Sequence, residues 1–125
     1  MTKTSIIQFL ESVGIEEVEK VLCSVEKVAV ESTLISAGGV RQGSSAQKFV
    51  IVLGDYHKNI NDLLEVVAHE VLHIVLNNRF PSADHVLYEQ KICEASQRIV
   101  ESYGRQLLVI LHRYMSADKI RQMTA

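Results

Sequence analysis

Only two cysteines, one proline and no basic run longer than a pair occur among the 125 residues of this chain. Cys23 and Cys93 cannot build a disulfide framework, so the expectation is two reduced, buried thiols in a cytoplasmic protein. Lys+Arg total 13 against 15 Asp+Glu, a net charge of −2 that leaves no electrostatic footprint for nucleic acid. No apolar run approaches the ~18–20 residues of a membrane span, because the most apolar stretches are broken by His69, Glu70 and His73 or by His112 and Arg113. The segment Met1 to Ile7 lacks the charged start, long apolar run and small-residue cleavage site of a secretory signal. Gly38, Gly39 and Gly43 are too loosely spaced, and stand before a strand rather than a helix, which excludes a phosphate loop.

What remains is ordinary globular material. Apolar residues make up 47% and charged residues 22%, enough for one domain, 1–125, with a modest core. Ser5 to Val13 and Glu16 to Ser24 read as short amphipathic helices, separated at Gly14. From Lys27 to Ser36 the period changes to two, which predicts a strand. A turn-rich run from Ala37 to Ser45 returns the chain into a more apolar strand, Lys48 to Gly54, and a hairpin between these two strands is the natural pairing.

The stretch Leu63 to Leu76 dominates the chain. Its only polar side chains are Glu65, His69, Glu70 and His73, and at about 100° per residue these fall within a sector of roughly 140°. The rest of the circumference is apolar, which describes a buried helix with one polar stripe. Asn59 or Asn61 supplies its cap, and the helix should stop near Asn77 and Asn78, with Pro81 enforcing the break.

A buried imidazole or carboxylate without a partner costs several kcal/mol, so the stripe needs a physical reason. Histidines at i and i+4 rise about 6 Å along the axis and differ by about 40° in direction. His69 and His73 can therefore reach one Zn²⁺ together, while Glu70 lies too far round to join them and is suited to taking a proton from water.

A catalytic zinc takes three protein ligands, and the third is sought on the helix beginning near Val86. Counted from Glu89, the inward stripe is Ile92, Cys93, Ser96, Ile99, Val100 and Tyr103, with Lys91, Glu94, Arg98 and Glu101 on a solvated face. Glu89 is thus expected to be an acid at the centre of a buried stripe, which demands a cation or a donor as partner. Glu94, His85 and Cys93 stay open as alternatives. The apolar segment 105–115, set off at Gly104, is open to two uses: core packing or a homodimer contact. Residues Met123 to Ala125 are expected to fray.

His69-Glu70-Val71-Leu72-His73 followed sixteen residues later by Glu89 resembles a minimal gluzincin-type zinc metallopeptidase. It is similar to the small ImmA/IrrE-like and minigluzincin-like peptidases of prokaryotes, phages and mobile elements, over roughly Lys48 to Tyr103. The resemblance implies an α+β, zincin-like domain with a short sheet or hairpin packed on a central metal-binding helix and flanking helices. It implies one zinc per chain held by His69, His73 and Glu89, with Glu70 as general base and acid. It also implies that the strand Phe49 to Leu53 borders the cleft and pairs with an extended peptide or protein substrate. Lacking a separate carboxy-terminal subdomain and an attached DNA-binding domain, the chain is expected to be narrow in specificity or latent. Tyr56, His85, Tyr88 and Tyr103 are oxyanion-stabilising candidates by residue type alone. Two other classes stay open: a metal-binding but proteolytically silent module, and a metal-free domain whose histidines fill a core.

Overall fold

A computed structural model describes residues 3–32 and 37–124 of the chain. In chain order these form α1 (Lys3–Ser12), α2 (Ile15–Val21) continued by a 3-10 turn (Leu22–Ser24), β1 (Val25–Glu31), β2 (Gly38–Gln42) and β3 (Phe49–Gly54). Helices α3 (Ile60–Arg79), α4 (Glu89–His112) and α5 (Ala117–Thr124) follow. The class is α+β. No helix among the described residues is long and apolar enough to cross a membrane.

Helix α3 is the centre. Asn59 caps it, its side chain accepting from the Asp62 backbone N–H at 2.9 Å. Leu63, Leu64, Val67, Val71, Leu72, Ile74, Val75 and Leu76 are all buried, each contributing about 1.5–3 kcal/mol by removal from water. They are covered by α2, α4, α5 and the strands β2 and β3.

The sheet departs from the expected hairpin. Its order is β1-β3-β2, with β3 parallel to β1 and antiparallel to β2. The hairpin partner of β3 is therefore β2, inside the run that reads as turns, and it closes through Gly43 N–H to Lys48 O at 2.8 Å. Residues 33–36 of the strand expected from Lys27 to Ser36 lie outside the described residues, and β1 starts two residues earlier, at Val25. β3 is the most apolar strand and takes the middle, where Val50 to Gly54 are all buried. Because β3 is hydrogen-bonded on both sides, it has no edge left for a substrate. The antiparallel edge strand is β2.

Three further expectations are corrected. Neither thiol is fully buried: Cys23 is exposed and Cys93 half-buried. Arg98 is not a purely solvated group: its guanidinium donates to the carbonyls of Leu10 at 3.2 Å and Val13 at 2.6 Å, capping the end of α1 and fixing it to α4. Met123 does not fray; it is buried in α5, and its carbonyl accepts from the His57 backbone N–H at 2.7 Å. The 105–115 segment continues α4 beyond a kink at Tyr103 (φ −135°, ψ 25°), and Leu107, Ile110 and Leu111 enter the core.

Replacing Leu72, which is fully buried in α3, by alanine should lower unfolding stability by about 2–5 kcal/mol. Urea denaturation of the two proteins measures this through a lower midpoint at unchanged slope.

Candidate metal centre

The polar stripe of α3 faces a cleft of about 800 Å³. One wall is the start of α4, another the first residue of β2, and a third the loop after β3. His69 and His73, one turn apart, turn their Nε2 atoms toward each other at 3.2 Å. Glu89 meets both: Oε1 lies 2.6 Å from His69 Nε2 and Oε2 lies 3.2 Å from His73 Nε2.

Glu89 reaches the histidines because of where α4 begins. After α3 ends at Arg79, residues 84–88 advance by single turns, with N–H to carbonyl bonds from Leu87 to Asp84 and from Tyr88 to His85. Buried Tyr88 pins the last of them, and Glu89 opens the helix. No preceding helical turn covers its side chain, which is 49% exposed in the open cleft. The expectation of a buried acid within a helix running from Val86 is corrected accordingly.

Donor chemistry and spacing suit a metal ion. Two imidazole nitrogens and a carboxylate oxygen lie within 4.8 Å of one another. Bonds of about 2.0–2.1 Å in a tetrahedral site place neighbouring donors about 3.3 Å apart, close to the 3.2 Å found for two of the three pairs here. Three lone-pair groups converging this closely repel one another unless a proton or a cation lies between them.

The alternatives for the third ligand fall elsewhere. Glu94 is exposed and engages Gln90 at 3.2 Å and Lys91 at 3.6 Å on the outer side of α4. His85 and Cys93 touch His73 and His69 from behind, His85 Nδ1 lying 2.9 Å from His73 Nδ1 and Cys93 Sγ lying 3.6 Å from His69 Nδ1. Among the oxyanion candidates, Tyr56 lines the cleft, whereas Tyr88 is buried in the core and Tyr103 packs against it. His57, unremarked in the sequence, is a buried cleft residue with Nε2 2.9 Å from the Gly54 carbonyl. Its loop position carries no periodic signal that would have singled it out.

Glu70 is 8% exposed beside this cluster. Burial, and then the nearby Glu89 carboxylate, push its pKa up to about 7. Glu65, one turn before His69, is also raised by burial and by the Asp62 and Glu101 charges. Burial lowers His73, with the neighbouring His69 acting in the same direction.

β2 comes so close to Val66 and Glu70 that a side chain on its first residue, Gly38, would crowd them. A Cβ on Gly38 would stand 2.6 Å from Val66 Cγ1 and 3.3 Å from both Cγ and Oε2 of Glu70. The valine is a stiff, β-branched neighbour that cannot rotate away within a helix.

No family model matches the chain, and comparison with curated proteins and with solved structures yields no match.

Gly38→Ala should therefore destabilise the protein by about 1–3 kcal/mol, as overpacking does. Gly39→Ala, where an added Cβ meets nothing within 4 Å among the described residues, should stay within about 0.5 kcal/mol of wild type. Parallel thermal melts compare the pair, and equal effects at both positions would contradict the close approach of β2 to α3.

Proposed function

We propose that this chain is a zinc-dependent metallopeptidase of zincin-like fold, in which His69, His73 and Glu89 hold one zinc and Glu70 is the general base. The observation that carries the reading is the convergence of two Nε2 atoms and a carboxylate on the cleft face of α3, with a second, buried carboxylate one residue along. Zinc, when bound, supplies a Lewis acid that makes water more acidic and polarises a carbonyl.

The remaining chemistry belongs to the chain. Glu70 takes a proton from the attacking water and returns it to the leaving amine, a role suited to a carboxyl whose pKa lies near neutrality rather than near 4. As the antiparallel edge strand of the sheet, β2 is where an extended peptide would add as a fourth strand. Close to Glu70 and His73, Val40, Phe49 and Ile74 border a hollow of about 360 Å³, room for an apolar side chain of that peptide. Two free cysteines suit a reducing compartment and support a cytoplasmic location.

Elemental analysis of protein purified without chelator or nickel resin tests the ligands. About one zinc per chain in wild type, lost in both His69→Ala and Glu89→Ala, is expected; zinc kept in Glu89→Ala would remove Glu89 from the set. Screening a peptide library tests the chemistry. Glu70→Gln should keep the metal and lose about 10²–10⁴-fold in hydrolysis. A zinc-loaded wild type that cleaves nothing would favour a silent binding module instead.

A further inference from the structure

Each ligand histidine has its other ring nitrogen engaged, and neither partner is a carboxylate. His69 Nδ1 lies 3.6 Å from Cys93 Sγ, and His73 Nδ1 lies 2.9 Å from His85 Nδ1. These contacts bear on which nitrogen carries the proton. A neutral imidazole that donates through Nδ1–H leaves the Nε2 lone pair free. An Nε2–H on either ring would instead donate to the facing histidine or to Glu89, since all three groups lie within hydrogen-bond distance. The Nε2 of that ring would then be tied up inside the cluster, with no lone pair to offer a metal.

Both partners are delivered by the same pieces of chain that build the centre. Cys93 follows Glu89 by one helical turn on α4, so the helix start that supplies the carboxylate also supplies the sulfur. His85 lies in the turns leading into α4, its ring within 11° of parallel to that of His73 at a centroid separation of 5.1 Å. That alignment restrains the plane of the His73 ring as well as its protonated nitrogen. A thiol and a neutral imidazole accept the two N–H groups without adding a formal charge behind the ligands. The outer contacts are therefore softer than the carboxylates that commonly hold metal-binding histidines.

Resting on the zinc reading above, we propose that Cys93 and His85 are positioning residues. Cys93 Sγ accepts from His69 Nδ1–H and His85 Nδ1 accepts from His73 Nδ1–H, and the pair directs both Nε2 lone pairs into the cleft. Cys93 thereby has a role that its sequence position, on an apolar helix stripe, does not announce.

Two measurements on the full chain test this. The first is zinc affinity, by competition with a chromogenic chelator. The second is the tautomer of His69 and His73 in metal-free protein, by long-range ¹H–¹⁵N NMR at mildly alkaline pH. Cys93→Ala and His85→Ala should each weaken zinc binding by about 10–100-fold, whereas Cys93→Ser and His85→Asn, which keep an acceptor, should recover most of that loss. Metal-free wild type should show both histidines protonated at Nδ1, and each alanine variant should disturb only the histidine it touches. Unchanged melting of the metal-free variants separates this from misfolding, and the wild-type tautomers stand as a test even if a variant fails to fold. Nε2-protonated histidines in wild type, or alanine variants that bind zinc as tightly as wild type, would overturn the assignment. Wild type that binds no zinc at all would overturn the metal reading along with it; wild type that binds while the variants match it would overturn the positioning role alone.

Discussion

Everything in this molecule depends on burying α3 around most of its circumference while leaving one strip of it open. Eight large aliphatic side chains on that helix point into the core, and their combined transfer from water, about 1.5–3 kcal/mol each, obliges α2, α4, α5 and the sheet to gather round it. The strip that stays open carries Glu65, His69, Glu70 and His73 and forms the floor of the cleft. Helix burial and site formation are thus one event: the packing that hides the apolar faces also limits the water that reaches Glu70.

The site is completed by the ends of elements, and the turns between them, rather than by their middles. Glu89 opens α4, Gly38 opens β2, and His85 lies in the turns between α3 and α4. Helix and strand termini leave side chains or backbone uncovered by their own element, so they can approach α3 closely. At Gly38 the approach leaves no room even for a methyl group. At Glu89 the helix start leaves both carboxylate oxygens free to meet both histidines.

Electrostatically the cluster is poised against itself. Two imidazoles and a carboxylate crowd together, and the Glu89 charge adds to burial in raising Glu70. An added cation would relieve the first repulsion and lower the cost of ionising Glu70, because opposite charge at short range favours the charged form. Occupation of the proposed metal site and the protonation of Glu70 are therefore linked by ordinary Coulomb interaction.

Much of this was legible in the residues alone, because a helix has a fixed period. Spacing put His69 and His73 on one face of an apolar helix, set Glu70 aside from them, and narrowed the cap to Asn59 or Asn61. The same period on α4 turned Glu89 and Cys93 to one side and Glu94 to the other, as the contacts bear out. What no period encodes is which strand pairs with which, since pairing depends on residues far apart in the chain. Hence the parallel β1-β3 pair and the glycine-led edge strand β2 emerged only with the sheet assembled. Likewise, that Glu89 is open to the cleft, that Arg98 caps α1, and that Cys93 and His85 stand behind the two histidines are facts of three-dimensional packing. The local residues determined the helix and its polar stripe; the tertiary structure alone decided what faces that stripe, because those neighbours arrive from other elements.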